Sequence, residues 1–193
     1  MGRKAEFNKE QVLEQAMNVF WLKGYSATSI QDLETATGLK RGSIYGAFGN
    51  KKELFLMALE RYSQSFSRLK SDFEGLAVSP LSKVKKILYF SMERALADEE
   101  GYCCLAMKTL LDMAGRDQDI SHQVNRIMED LENVFYDLLL EAQEKGELNL
   151  GKDPRGLARF LTVFLNGLRV SAQTKPGRRF LEDCLTVAFE VLD

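Results

Sequence analysis

Apolar residues recur every three to four positions through most of this 193-residue chain, and no stretch alternates apolar with polar residues as a half-buried strand does. Proline, which interrupts helices, occurs only at positions 80, 154 and 176, where a helix would begin or a loop would lie. The pattern predicts an all-α protein with nine helices. The predicted helices span about 8–23, 29–37, 40–48, 50–73, 80–97, 104–114, 121–145, 154–173 and 178 to the C-terminus.

Charge is distributed unevenly along the chain, although the formal net charge is only −2. Residues 1–52 carry eight Lys and Arg against five Asp and Glu, a net charge of +3, so the remaining residues carry −5. This asymmetry is typical of a small nucleic-acid-binding module attached to an acidic body. Apolar residues make up 45% of the chain, which is enough for a proper core.

The composition also argues against several kinds of site. The sequence starts with polar and charged residues rather than a signal peptide, and no apolar run approaches the roughly 20 residues that span a bilayer. Three cysteines, two of them adjacent, form no disulfide framework, so we expect a cytoplasmic protein without membrane contact. One histidine and no Cys-x-x-Cys pair predict no metal site, and no motif indicates a cofactor.

Residues 24–54 form the most informative segment of the chain. They predict two short helices that are joined by a turn at Gly38, followed by the capped start of a third helix at Asn50. The second short helix gains little stability alone, so its exposed polar side chains indicate a partner. Lys40 and Arg41 can reach guanine edges or phosphates in the major groove of DNA.

Other side chains near this helix suit the same partner. Thr28 lies at the predicted start of the preceding helix, where a hydroxyl and free amides suit a phosphate. Ser43 can bond either base of a pair, while Tyr45 and Lys51, with the neighbouring Lys52, suit phosphates. The N-terminal arm, residues 2–4, either enters the minor groove of DNA or only solubilises the chain. The candidate DNA-binding residues are Arg3, Lys4, Thr28, Lys40, Arg41, Ser43, Tyr45 and Lys51.

The segment resembles the DNA-binding domain of the TetR/AcrR family of bacterial transcriptional regulators. The resemblance lies in residues 20–25, 28–30, 38–39, 42–45 and 48–54. It implies a helix-turn-helix DNA-binding domain over residues 1–52 and a ligand-binding and dimerisation domain over residues 53–193. It also implies a homodimer on a pseudo-palindromic operator, with half-sites about one helical turn, on the order of 34 Å, or slightly more apart.

Two positions depart from the family pattern. Lys40 stands where the family often has a serine that caps the helix. Gly46 and Ala47 replace a bulkier pair, which removes two potential contacts to the DNA backbone. These departures are where operator preference can be set.

Aromatic and methionine side chains at helical spacing in the second part of the chain either line a ligand cavity or are plain core. The resemblance implies a cavity enclosed by helices four to eight. A weaker resemblance of residues 103–105 and 164–170 to one TetR subgroup implies sensing of electrophiles, oxidants or small organic acids. The candidate pocket residues are Tyr62, Phe66, Met92, Tyr102, Cys104, Met107, Leu111, Met128 and Phe135.

The apolar stripes of the last two predicted helices are longer than one core needs, which indicates a four-helix dimer interface. Cys104 is either a sensor thiol or a small buried residue, and Cys103 shares that ambiguity. The candidate interface residues are Phe160, Phe164, Leu168, Leu181, Leu185 and Phe189.

These observations predict a ligand-responsive regulator, most simply a repressor that is released by a small molecule or by thiol modification. An activating role stays open, as does a helical protein–protein adaptor that does not bind DNA. An enzyme with Cys104 as nucleophile is not expected, because the single histidine, His122, has no neighbouring Asp or Asn that suggests a catalytic dyad.

Overall fold

The computed structural model of the chain describes residues 7–74, 76–98, 104–113 and 115–192, with side chains described for all of these except 65–74. Within these residues it contains nine α-helices and no strand, which confirms the predicted fold class. The helices are α1 Lys9–Lys23, α2 Ile30–Thr37, α3 Arg41–Phe48, α4 Lys51–Glu74, α5 Pro80–Ala97, α6 Leu105–Met113, α7 Gln118–Glu144, α8 Pro154–Ala172 and α9 Arg178–Glu190.

The first compact unit comprises the described part of Met1–Ser65 together with Leu105–Asn125. It therefore contains α1–α3, the start of α4, α6 and the start of α7. Phe20 and Phe55 are fully buried and pack edge to face, with ring centres 4.8 Å apart. Leu33 of α2 and Ile44 of α3 are also completely buried, so each short helix is anchored to the same core.

The second compact unit comprises the described part of Phe66–Cys104 and Arg126–Asp193. In it α5 packs against α8 and α9. Ser79 caps α5 by accepting a hydrogen bond from the Ser82 amide, and Asp153 caps α8 in the same way. Both helices begin with the proline that the sequence indicated, because a proline lacks only an N–H that has no helical partner at that position.

One helix begins earlier than the sequence predicts. The α7 helix starts at Gln118 rather than near residue 121, because Asp117 Oδ1 accepts hydrogen bonds from the Asp119 and Ile120 amides and caps the first turn. The two units also divide the chain differently from the expected domains 1–52 and 53–193, since α6 and the start of α7 belong with α1–α3.

Half of the predicted dimer residues are core residues instead. Leu168, Leu181 and Leu185 are 4%, 1% and 0% exposed within their own chain, so almost none of their surface is available to contact a partner subunit. Phe164 and Phe189 are half-buried and Phe160 is 40% exposed. Periodicity locates an apolar stripe but does not show which part of it faces the helix's own core.

The predicted pocket residues are divided between the units. Tyr62, Met107 and Leu111 belong to the first unit, and Leu111 is 76% exposed, so it does not line a pocket there. In the second unit Met92, Cys104 and Phe135 are buried, whereas Met128 is half-buried. Tyr102, Cys103 and the Phe66 side chain lie outside the described residues.

The described residues contain neither a helix that could span a membrane nor a side-chain cluster that could bind a metal ion. No helix there is both long enough and apolar enough to cross a membrane. No cluster of three or more His, Cys, Asp or Glu side chains in that part of the chain could hold a metal ion.

Candidate nucleic-acid interface

A tight turn joins α2 to α3. Gly38 has a φ of 68°, the left-handed conformation that a side chain disfavours, and its N–H donates to the Glu34 carbonyl at 2.9 Å. The Thr37 hydroxyl accepts a hydrogen bond from the Leu39 amide at 3.3 Å. The turn therefore sets the direction in which α3 leaves α2, as the sequence predicted from Gly38.

The α3 helix has one buried face and one exposed face. Ile44 and Phe48 are 0% and 5% exposed and point into the core. Lys40, Arg41 and both helix glycines are exposed on the other side, with Ser43 and Tyr45 half-buried at its edge. The Arg41 guanidinium lies 5.5 Å from the centre of the Tyr45 ring, so the two predicted DNA-binding side chains lie together.

The amino end of α4 contributes a further cation, Lys51. Asn50 and Glu53 cap this end reciprocally, because each side chain accepts a hydrogen bond from the other residue's amide, at 3.0 and 3.1 Å. The Lys51 ammonium lies 4.6 Å from the centre of the Tyr25 ring. Burial lowers the pKa of Lys51, and the charges of Asp112 and Asp32 oppose that shift.

The neighbouring Lys52 is placed differently from the prediction that it contacts phosphate. Its ammonium lies 2.8 Å from an Asp117 carboxylate oxygen and 2.6 Å from Asp119. Hydrogen bonds to both carboxylates raise the pKa of Lys52. This lysine therefore ties α4 to the start of α7, a pairing between residues 65 or more positions apart that no local motif indicates.

Thr28 does not present its hydroxyl to a phosphate, contrary to the prediction. Its side chain is 2% exposed, and Oγ1 donates to the Gly24 carbonyl at 2.6 Å. The neighbouring Ser29 is the N-cap of α2 and forms the reciprocal capping box with Asp32. In the sequence, both Thr28 and Ser29 fit an N-cap. Because the Thr28 side chain is buried, only the Ser29 side chain remains at the surface.

The capping carboxylate of α2 is strongly stabilised in its charged form. Asp32 Oδ1 accepts a hydrogen bond from the Lys23 ammonium at 2.5 Å, and Oδ2 accepts from the Ser29 amide at 2.8 Å. The hydrogen bond from Lys23, followed by those from Ser29, holds the pKa of Asp32 well below its usual range. These bonds lock the end of α1 to the start of α2.

Two further residues support α3 without having been predicted. Glu34 of α2 accepts a hydrogen bond from the Arg41 amide at 2.8 Å. Lys9 of α1 donates to the Ala47 carbonyl at 3.4 Å, and its ammonium lies 6.0 Å from the centre of the Phe48 ring. The Glu34 contact depends on the direction in which the turn sends α3, and the Lys9 contact joins residues 38 positions apart, so no local signal indicates either one.

Helix α6 is also bonded to the segment between α1 and α2. Lys108 donates hydrogen bonds to the Trp21 carbonyl at 3.0 Å and to the Leu22 carbonyl. Asp112 accepts from the Ser26 amide at 2.8 Å. Burial alone would raise the pKa of Asp112, but the hydrogen bonds from Ser26 lower it below its ordinary value. The predicted contacts of Arg3 and Lys4 lie outside the described residues.

Comparison with known proteins identifies both parts of this arrangement. Residues 12–58 match the family model for bacterial regulatory proteins of the tetR family. Residues 80–186 match the model for the tetracyclin repressor-like C-terminal domain. Together these matches cover the exposed α3 helix and most of the second compact unit.

Individual relatives agree with the family matches. The chain is 30% identical, over 100% of both lengths, to the uncharacterized HTH-type transcriptional regulator YezE of Bacillus subtilis (strain 168). It is 29% identical to the HTH-type transcriptional repressor ComR of Escherichia coli (strain K12), over 89% of this chain and 82% of ComR. A triple cysteine mutant of the TetR family transcriptional regulator CifR, complexed with a 26 bp double-strand operator DNA, is 26% identical over 100% of both chains, with a TM-score of 0.88. The chain therefore belongs to the TetR family of bacterial transcriptional regulators, which bind DNA and are not enzymes, as the sequence predicted.

Proposed function

We propose that this regulator is a repressor that binds a pseudo-palindromic operator as a homodimer and leaves it when a small molecule binds. The observation that carries the DNA-binding part is the exposed face of α3, which presents Lys40 and Arg41 while the opposite face is anchored in the core. A short helix of this kind fits the major groove, where Lys40, Arg41 and Ser43 contact base edges. The operator complex of CifR and the repressor activity in the name of ComR support this proposal.

Phosphate contacts would come from the edge of the same surface. Tyr45 can donate its hydroxyl to a phosphate, and Lys51 adds a cation at the amino end of α4. The Tyr25 ring beneath the Lys51 ammonium holds that cation in place. These contacts position α3 in the groove without selecting a sequence.

Exposed apolar stripes on α8 and α9 support dimerisation. On α8 the stripe consists of Phe160, Val163 and Val170, which are 40%, 73% and 42% exposed. On α9 it consists of Phe180 and Val187, which are 50% and 62% exposed. Their spacing places each set on one helix face, and a second copy of this chain would cover both faces in a four-helix interface.

Oligomeric state tests this part of the proposal. Val163→Asp and Val187→Asp place a charge in the proposed interface, so we expect each variant to shift the protein from dimer to monomer in sedimentation velocity. Leu150→Asp is the matched control, because Leu150 is 82% exposed but lies on neither stripe. A wild-type monomer, or dimers in all three variants, would show that these stripes do not form the interface.

An unsatisfied polar atom supports a small-molecule effector in the second unit. Asn166 is 7% exposed, and its Oδ1 has no hydrogen-bond partner among the described residues. Its amide nitrogen lies 3.5 Å from the Met128 sulfur, a weak acceptor. One turn later, Arg169 donates to the buried Ser91 hydroxyl at 3.3 Å. A buried acceptor without a partner is costly, and a bound hydroxyl or amine would satisfy it.

The contacts of α6 provide a route for release. Lys108 and Asp112 bond to the backbone at the end of α1 and before α2, so a movement of α6 would displace the segment that supports α3. An effector releases DNA only if it binds the displaced conformer more tightly. Cys104 is 3% exposed, which favours this route over thiol modification.

Fluorescence anisotropy with DNA from upstream of the protein's own gene tests the proposal. Specific binding that weakens with salt supports a DNA-binding regulator, and its absence would leave the protein–protein adaptor. Lys51→Met should weaken binding to all sequences and lower the salt slope by about one, and Lys40→Ala or Arg41→Ala should in addition relax base preference. Lys86→Ala is the control, because Lys86 is exposed on α5. Native mass spectrometry of freshly purified protein would show a co-purifying effector.

A further inference from the structure

The first turn of α3 lacks a cap of its own. Lys40 is the N-cap residue, with φ −78° and ψ 152°, and its side chain makes no capping hydrogen bond. Its carbonyl accepts from the Ser43 and Ile44 amides at 2.8 and 3.0 Å. The first amides of a helix have no helical acceptor, so a short helix without a side-chain cap is poorly defined at this end.

Glu34 supplies the missing acceptor from another helix. Its Oε1 accepts the hydrogen bond from the Arg41 amide, the first residue of α3, at 2.8 Å. Its own carbonyl accepts the Gly38 amide that ends α2, at 2.9 Å. The Glu34 main chain therefore accepts the hydrogen bond that ends α2, and its side chain accepts the hydrogen bond from the first amide of α3. A carboxylate is the preferred group here, because it also interacts favourably with the positive end of the helix dipole.

We propose that Glu34 is a positioning residue that replaces the N-cap of α3 and thereby frees position 40 to carry an exposed cation toward DNA. The residues that cap helices well are short and polar, so a single position cannot both cap α3 and extend a long basic side chain. Here α2 performs the first role and Lys40 the second. The capping role of Glu34 is argued from hydrogen bonds within this chain. The role of Lys40 in binding DNA rests on the proposed function.

A rescue experiment separates the two roles. The variants are Glu34→Ala, Glu34→Gln and Lys40→Ser, with the double variant Glu34→Ala/Lys40→Ser. Amide hydrogen exchange of residues 41–44 without DNA reports the cap, and operator affinity with its salt slope reports the role of position 40. Glu129→Ala is the control, because Glu129 is an exposed acid on α7.

We expect Glu34→Ala to speed exchange of these amides about fivefold, the effect of losing one cap. Glu34→Gln retains an acceptor and should restore most of the protection. Serine at position 40 should restore protection of the Gly42 and Ser43 amides in the Glu34→Ala background, because an N-cap hydroxyl accepts from the second or third amide of its helix. It should leave operator affinity low and the salt slope reduced by about one in either background, because the cation is lost.

Unchanged exchange in Glu34→Ala, or no recovery when serine replaces Lys40, would overturn the capping role. Full operator affinity and an unaltered salt slope in Lys40→Ser would overturn the role of position 40. If the protein binds no operator at all while the exchange pattern is as expected, the proposed function fails and the capping role survives. If Glu34→Ala does not fold, Glu34→Asp allows the same comparison, since its carboxylate is one methylene shorter.

Discussion

Lys108 of α6 donates a hydrogen bond to the Trp21 carbonyl oxygen at 3.0 Å, although 87 residues separate the two positions. The Leu22 carbonyl accepts from the same ammonium. Both carbonyls belong to the last turn of α1, where a cation is favourable because the helix dipole is negative there. The Lys108 ammonium therefore holds α6 against α1, which also packs against α2.

Lys108→Met should loosen this attachment without leaving a cavity, because methionine fills nearly the space of the lysine stem. Since Lys108 is half-buried, we expect a loss of about 1 kcal/mol in the free energy of unfolding, measured in urea. Hydrogen exchange should quicken at the end of α1. Lys86→Met serves as the reference for an exposed lysine, and equal effects in the two variants would mean that the Trp21 contact contributes nothing.

Glycines 42 and 46 of α3 allow helix stability and DNA binding to be separated. A methyl group at either position would meet no atom within 4 Å, so alanine fits. Gly42→Ala and Gly46→Ala should each raise the free energy of unfolding by about 0.5–1 kcal/mol, because alanine loses less backbone entropy in a helix.

Operator affinity should change in the opposite direction. If the exposed face of α3 lies against DNA, the added methyl group crowds it and weakens binding by about tenfold. Anisotropy titrations alongside urea unfolding measure both effects on the same samples. Higher stability with unchanged affinity in both variants would place DNA on some other surface.

Local sequence signals predicted most helix boundaries. Ser79 with Pro80, and Asp153 with Pro154, gave the starts of α5 and α8 because capping depends only on neighbouring residues. The exposed side of α3 was also predictable, since Ile44 and Phe48 mark the buried side.

Other features depend on distant parts of the chain and were missed or misplaced. The Asp112–Ser26 bond joins residues 86 positions apart, and the Glu34–Arg41 bond depends on the direction in which a turn sends α3. Leu185 was placed in a dimer interface because its stripe is apolar, although the chain's own core covers it. The sequence pattern shows that a helix face is apolar, but only the folded structure shows whether the chain's own core or a partner covers that face.

The capping carboxylate of α2 should make stability depend on pH. The folded pKa of Asp32 lies below its unfolded value of about 4, so its contribution is complete above that value and is lost as the pH falls through the folded pKa. The difference in unfolding free energy between wild type and Asp32→Asn should therefore be largest near pH 7 and shrink below about pH 4. Urea titrations at pH 7, 5, 4 and 3 measure it. Asp183→Asn, an exposed site on α9, is the control, and a pH-independent difference for Asp32→Asn would refute the assignment.

Asn166→Leu should stabilise the protein and abolish its response to effector. The buried Oδ1 has no partner among the described residues, so replacing the amide with an apolar side chain of similar size removes a cost of about 1–3 kcal/mol. Thr162→Val should give no such gain, because the buried Thr162 hydroxyl already donates to the Ala158 carbonyl at 2.8 Å. Urea unfolding measures the stability of both variants.

Operator titrations with the molecule found by native mass spectrometry measure the response to effector. Asn166→Leu should bind operator like wild type and stay bound when effector is added. A variant that is less stable than wild type would refute the cost of the unpaired Oδ1, and one that effector still releases would show that this amide does not hold the ligand.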